Sequence, residues 1–310
     1  MSKISNESFI YGSELLGRGY TTPTDRLVGG VIFWLSLIAV VLGMYNLYVI
    51  KKVKIFHNAF GCFWASRTVG EIGSNLVHVV YSGPMTIMQP ALIPPNAGII
   101  AFTQPAMIPP NAGIIAFTFG YYFACHACVM HQVVSVNRLI AVSAPFKYRK
   151  IFRKEICRAL IIVCWIEVFF TQAAYLVFPC NMVGYSPILY EYVFVTLISD
   201  IVTLTKIIKI KKAGRQTKYF KRDVRFFCQT SVQNFTMMIA LTMIVMVNNS
   251  SSTNGSIMQI LAFCTLIVTH INNALALIIF NPEVRARFVR QSRNTNNVAP
   301  ATLQQVTETM

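Results

Sequence analysis

Seven apolar runs decide what this chain can become: Leu27–Ile50, Phe60–Tyr81, Gly113–Asn137, Arg158–Phe178, Ile188–Ile208, Phe226–Asn249 and Ile257–Phe280, each of 21 to 25 residues. About 20 predominantly apolar residues are what a helix needs to cross a hydrocarbon layer roughly 30 Å thick, and a slightly longer run crosses with some tilt. The runs predict an all-α fold, a seven-transmembrane helix bundle. Composition agrees, since only 12% of the 310 residues are charged, against about 25% in soluble domains. The net charge of +16 would by itself suit a nucleic-acid binder. The basic residues, however, are split among loops bounded by membrane, so the expected partner is the lipid bilayer and no nucleic acid.

Charge placement sets the orientation. Of the 27 lysines and arginines, three lie at 51–54, seven at 138–158, nine at 206–225 and four after Phe280. The loops 82–112, 179–187 and 250–256 hold none. Translocation leaves Lys and Arg in the cytoplasm, so the N-terminus is expected to be extracellular and the C-terminus cytoplasmic. The expected organisation is an outer tail over 1–26, a seven-transmembrane domain over 27–282 and a cytoplasmic tail over 283–310. Residues 1–26 lack the apolar stretch of a cleaved leader, so the first span is expected to serve as its own signal and anchor. Glycosylation sequons at Asn6, Asn248, Asn249 and Asn254 all fall on or beside segments assigned to the outside. A fifth, at Asn234, lies inside the sixth span.

Two local features carry less. Residues 89–103 and 104–118 are a tandem duplication that differs only at Leu92 against Met107. It reads as a recent local duplication or a gene-model error that lengthens the first outer loop, with the second copy supplying the start of span three. Cys125 and Cys128 have CxxC spacing, but inside a membrane helix they are read as small apolar packers. Of the eight cysteines only Cys180 is expected outside the membrane on the oxidising side, so no disulfide framework is implied. No metal site and no cofactor are expected.

At the end of span three stands NRLIAVSAPFKYRKIF, residues 137–152. Arg138, Pro145 and Tyr148 are spaced 0, +7 and +10, which resembles the DRY…P…Y segment of rhodopsin-like G-protein-coupled receptors. An arginine there can be restrained at rest and, once the bundle opens, can cap the carbonyls of a docked partner helix. The proline is expected to end the helix and begin a turn. The alternative is that this basic run only anchors the loop inside the cell. GMYN at 43–46, HNAFG at 57–61, SGPMTI at 82–87, HQVVSVNR at 131–138, FPCN at 178–181, RDVRFFCQTSVQNF at 222–235 and FNPEVR at 280–285 together resemble the nematode serpentine chemoreceptors of class x, over roughly residues 27–290. The resemblance implies a plasma-membrane receptor of sensory-neuron cilia that senses a small-molecule ligand and signals through a heterotrimeric G protein.

The departures from the rhodopsin-like pattern are specific. The acid expected before the arginine is Asn137, so Asp223 at the start of span six becomes the candidate partner of Arg138. Span six lacks the Trp and Pro switch, and no Tyr follows Asn281 and Pro282 at the expected spacing. Cys180 would pair with a cysteine at the outer end of span three, where Gly113 stands. Cys125 lies about 18 Å further in at roughly 1.5 Å per residue, so Cys180 is expected to be unpaired within this chain.

Ionisable residues inside a span are functional candidates by default. Glu71, Glu167 and Asp200 qualify; the competing reading is a neutral or paired structural carboxyl. Arg67 and Glu71 are four apart and share a helix face, while Arg67 is also near enough to the cytoplasm to snorkel there. His126, His131 and His270 are read as hydrogen-bonded packing residues. Candidates for a ligand pocket in the outer half are Tyr121, Tyr122, Tyr190, Glu191, Tyr192, Gln259 and Phe263. A mostly apolar lining there suits a small hydrophobic compound; the competing reading of these aromatics is an interfacial belt. The main alternative function is a multi-pass transporter or channel, although no inverted repeat is visible. A retinal protein would need a lysine in the seventh run, which has none. No catalytic frame stands out, so an enzyme is not expected.

Overall fold

The computed structural model describes residues 21–88, 112–177, 187–214, 220–249 and 255–286. Among them are nine α-helices and no strand: α1 (Pro23–Lys52), α2 (Ala59–Val77), α3 (Gly83–Met88), α4 (Ala112–Ser143), α5 (Pro145–Ile151), α6 (Lys154–Val177), α7 (Pro187–Lys212), α8 (Phe220–Asn249) and α9 (Gly255–Phe280). Seven long rods result, because α2 and α3 are one rod and α5 is a short helix in a loop. As far as the described residues reach, each predicted run lies on one rod.

Local chemistry explains the boundaries. Thr22 caps α1 reciprocally: its hydroxyl accepts from the Asp25 N–H at 3.2 Å, and the Asp25 carboxylate accepts from the Thr22 N–H at 2.9 Å. Pro23 fills the first position, where no N–H is needed. Lys51 and Lys52 in the last turn complement the helix dipole. Asn58 caps α2 by accepting from the Gly61 N–H at 3.1 Å. Between α2 and α3 a single π turn, His78–Ser82, carries the chain, with the Gly83 N–H reaching back to the His78 carbonyl. Pro84 follows immediately; it has no N–H to donate and its ring crowds the preceding turn, and a widened turn accommodates it. The rod therefore extends to Met88, seven residues beyond the predicted Tyr81.

Two expectations about the third run need correction. Helix α4 continues past Asn137 to Ser143. Pro145 then begins helix α5 as its first residue, after a break at Ala144, so the proline starts a second helix rather than a turn.

Three stretches, α1, Lys154–Ala173 in α6 and Ile260–Phe280 in α9, are long and apolar enough to cross a membrane by length and composition. The other rods, α2 above all, carry polar residues, and these face inward: Arg67, Glu71, His131, Gln233 and Asn234 are all buried. Large apolar side chains such as Trp34, Phe170, Phe194 and Phe235 are exposed on the outside. That is a bundle whose solvent is lipid. Where α2 crosses α4, a Cβ at Gly70 would lie 2.9 Å from the Phe123 carbonyl oxygen, and one at Gly73 would run into the Phe123 ring. Small residues bring these two backbones together. At the end bearing the basic loops, an aromatic core of Phe56, Phe60, Phe63, Trp64 and Phe226 packs with Leu277 and Val284.

Candidate functional site

At the basic end of α4, Arg138 is only 7% exposed. Its guanidinium lies 3.4 Å from the ring centroid of Phe60 on α2 and 4.4 Å from that of Phe226 on α8. The two rings are themselves 5.1 Å apart. A cation over aromatic faces in a desolvated site is stabilised by about 2 kcal/mol. The acid absent at Asn137 is thus offset by an aromatic clasp joining α2 and α8. Asn137 is fully buried and its amide meets the Tyr148 hydroxyl at 3.2–3.3 Å, which fastens α5 to α4. Phe152 extends this contact, 5.0 Å from Tyr148 and 5.8 Å from Phe63. Phe146, beside the exposed Lys147 and Lys150, is 94% exposed. Asp223 lies in the first turn of α8, and its side chain is outside the described residues.

Further into the bundle is a polar chain that links five rods. Arg67, 1% exposed, places its Nε 3.2 Å from Glu71 Oε1 and donates from Nη1 to Gln233 Oε1 at 3.2 Å. Asn273 donates to the same Glu71 oxygen at 2.6 Å. Gln233 in turn donates to the Asn273 carbonyl at 2.8 Å. His131 stands 3.6 Å from Glu71 through Nε2 and 3.2 Å from Asn234 Oδ1 through Nδ1. The Asn234 amide nitrogen donates to Ser135 at 2.6 Å and to Asp200 at 2.9 Å. The Arg67–Glu71 pairing expected from their spacing is present, but Arg67 does not snorkel; its charge is used inside the bundle.

Hydrogen-bond logic fixes two imidazoles. Asn234 must present its oxygen to His131 because its nitrogen is already donating, so His131 Nδ1 carries a proton. Its Nε2 then either accepts from Asn273 Nδ2, 3.3 Å away, or, when protonated, faces Glu71. Asn75 donates both to the Glu71 carbonyl at 2.6 Å and towards His270 Nδ1 at 2.7 Å, so His270 holds its proton on Nε2. His126 bonds Ser66 at 3.0 Å and stacks on Trp165 at 3.5 Å. All three histidines are hydrogen-bonded, as read from the sequence. No group of three or more His, Cys, Asp or Glu suited to a metal occurs among the described residues.

The pocket candidates are distributed over several helices. Tyr122 faces α6, with its hydroxyl 3.4 Å from the Trp165 carbonyl and its ring 5.4 Å from the indole. Phe263 on α9 meets His78 of the π turn edge-on at 5.1 Å. Tyr121 lies next to Tyr122 on α4 and is half-buried. The side chains of Tyr190, Glu191, Tyr192 and Gln259 lie outside the described residues, as do Cys180, most of the duplicated segment and the sequons Asn6 and Asn254; of Asn248 and Asn249 only the backbone, at the end of α8, is described. The described cysteines are all free.

Sequence reading missed Phe60, Phe226 and Phe146, and it did not connect Gln233, Asn234 and Asn273 to Glu71. The available signal was amides within apolar runs, as in VQNF at 232–235 and INNA at 271–274.

No curated protein matches the chain. A profile described as serpentine type 7TM GPCR chemoreceptor Srx matches residues 33–195. The match runs from within α1 through α6 to the beginning of α7, and takes in the Arg138 clasp on its α2 and α4 sides. It favours a receptor over a transporter, a channel or an enzyme. The chain belongs to the Srx family of serpentine seven-transmembrane G-protein-coupled chemoreceptors.

Proposed function

We infer that this receptor, organised as a domain over 27–282 with tails 1–26 and 283–310, takes a small, mostly apolar molecule in the outer half of its bundle. It activates a heterotrimeric G protein at its basic face, with the N-terminus outside, the C-terminus in the cytoplasm and the sensory cilium as its site of action. The outer half offers Tyr121, Tyr122, Tyr190, Glu191, Tyr192, Gln259 and Phe263 as contacts, with glycans at Asn6, Asn248, Asn249 and Asn254 on the same side. One observation carries the reading: Arg138 lies between an aromatic of α2 and an aromatic of α8, below a polar chain that links the same two helices to α4, α7 and α9. A ligand that shifts α8 against α2 would part Phe226 from Phe60 and release the arginine towards a docked partner. Asp223 is the proposed resting partner of Arg138. Asn137, Pro145 and Tyr148 set the angle of α5, and the exposed Phe146 is an apolar contact for the G protein amid positive charge.

The test expresses the full chain in G-protein reporter cells and applies small-molecule pools. A tag at the N-terminus should be reachable on intact cells. Arg138→Ala should reach the surface and lose the response, and Phe226→Ala should raise the basal signal. A tag reachable only after permeabilisation, or an Arg138→Ala receptor that still responds fully, would overturn the reading.

A further inference from the structure

Helix α6 packs on α4 and α2, and among the described residues no other long helix packs closely on its remaining face. Ala159, Ile162, Val163, Ile166 and Phe170 are exposed along that face. Glu167 is exposed in the middle of them and has no side-chain hydrogen bond or ion pair among the described residues. The Thr171 hydroxyl, one turn further on, donates to the Glu167 backbone carbonyl at 2.9 Å. Glu167 lies nine residues beyond Arg158, about 13 Å along the helix at 1.5 Å per residue, close to the midplane of a hydrocarbon core roughly 30 Å thick. A glutamate side chain is too short to reach either surface from there. An acid at this depth is costly against lipid and is ordinarily matched by a partner.

We propose that the outward face of α6 around Glu167 docks a membrane-spanning helix of a different protein that carries a lysine or arginine at mid-depth. Charge complementarity calls for the cation. A second copy of this chain does not supply it: outside Arg67, every lysine and arginine lies in the loops or tails or at the ends of the spans, and Arg67 is buried against Glu71. Two copies meeting on this face would instead bring two carboxylates together. The surrounding side chains give the partner helix an apolar surface on either side of the acid, and Ala159 gives it close approach near the basic end.

The full chain, labelled with a fluorescent donor, is co-reconstituted in lipid vesicles with single-span leucine-based helices labelled with an acceptor and bearing Lys, Leu or Glu at the centre. Association with the lysine helix should exceed that with the leucine helix roughly three- to tenfold, the range expected for one interhelical polar contact. Glu167→Gln should remove most of that preference, and Glu167→Lys should transfer it to the glutamate helix. Equal association with all three helices, or none with any, overturns the proposal. So does self-association of the chain that disappears in Glu167→Gln, which would make a second copy the occupant.

Discussion

Glu71 and Glu167 are the same side chain at comparable depth, twelve residues into α2 and thirteen into α6. Their surroundings are opposite. Glu71 is 5% exposed and meets Arg67, Asn273 and His131. Glu167 faces outward among isoleucine, valine and phenylalanine, and no donor reaches it among the described residues. An acid inside an apolar run therefore does not declare its role. The role is set by what the other rods bring to it, and for Glu71 one donor arrives from 202 positions away in sequence. The inward acid holds this protein together; the outward one is available to another.

The sharpest way to break the comparison is at Arg67. Arg67→Met leaves Glu71 buried without its countercharge, which costs about 3–5 kcal/mol. The folded receptor should be largely lost, as read by thermal unfolding of the detergent-solubilised protein. Adding Glu71→Leu should recover most of the loss, because an apolar pair of similar volume tolerates burial better than a lone charge. The next largest effect has the opposite sign. Glu167→Leu removes an acid from the lipid-facing surface and should stabilise the isolated receptor by up to about 3 kcal/mol. If both changes moved the unfolding temperature in the same direction, the contrast between the two glutamates would fail.

Much of this architecture was readable from sequence because lipid imposes length. A run of some 20 apolar residues has few alternatives to a spanning helix, and, as far as the described residues reach, each predicted run lies on a rod. Helix ends followed less well. The second run continues through Pro84 by way of a π turn, and Pro145, expected to begin a turn, starts a new helix. The site was legible only where its partners lie on one helix. Arg67 and Glu71 are four apart and their contact follows from helical spacing. The remainder of the network joins α2 to α4, α8 and α9, and no local pattern encodes that register. Arg138 was found through its motif, but its clasp was not. Phe60 and Phe226 look like ordinary apolar residues of their runs, and they become partners of a cation only where α2 and α8 converge.

The smallest effect concerns Asn137 and Tyr148, a neutral pair between the two extremes. Tyr148→Phe keeps the ring against Phe152 and removes the hydroxyl that meets the Asn137 amide. One neutral hydrogen bond contributes about 1 kcal/mol net, so stability should fall by roughly that amount, well below the effect at Arg67. Asn137→Asp asks a different question at the same place. It puts a carboxylate next in sequence to Arg138, where the guanidinium now rests on two rings. If the aromatic clasp takes the place of an acid, supplying the acid should add a second restraint and lower basal signalling in reporter cells at equal surface expression. Basal signalling that did not change would mean that the rings already restrain Arg138 fully. A rise would mean that Asn137 acts by holding Tyr148 and α5, and that its neutrality is what the position requires.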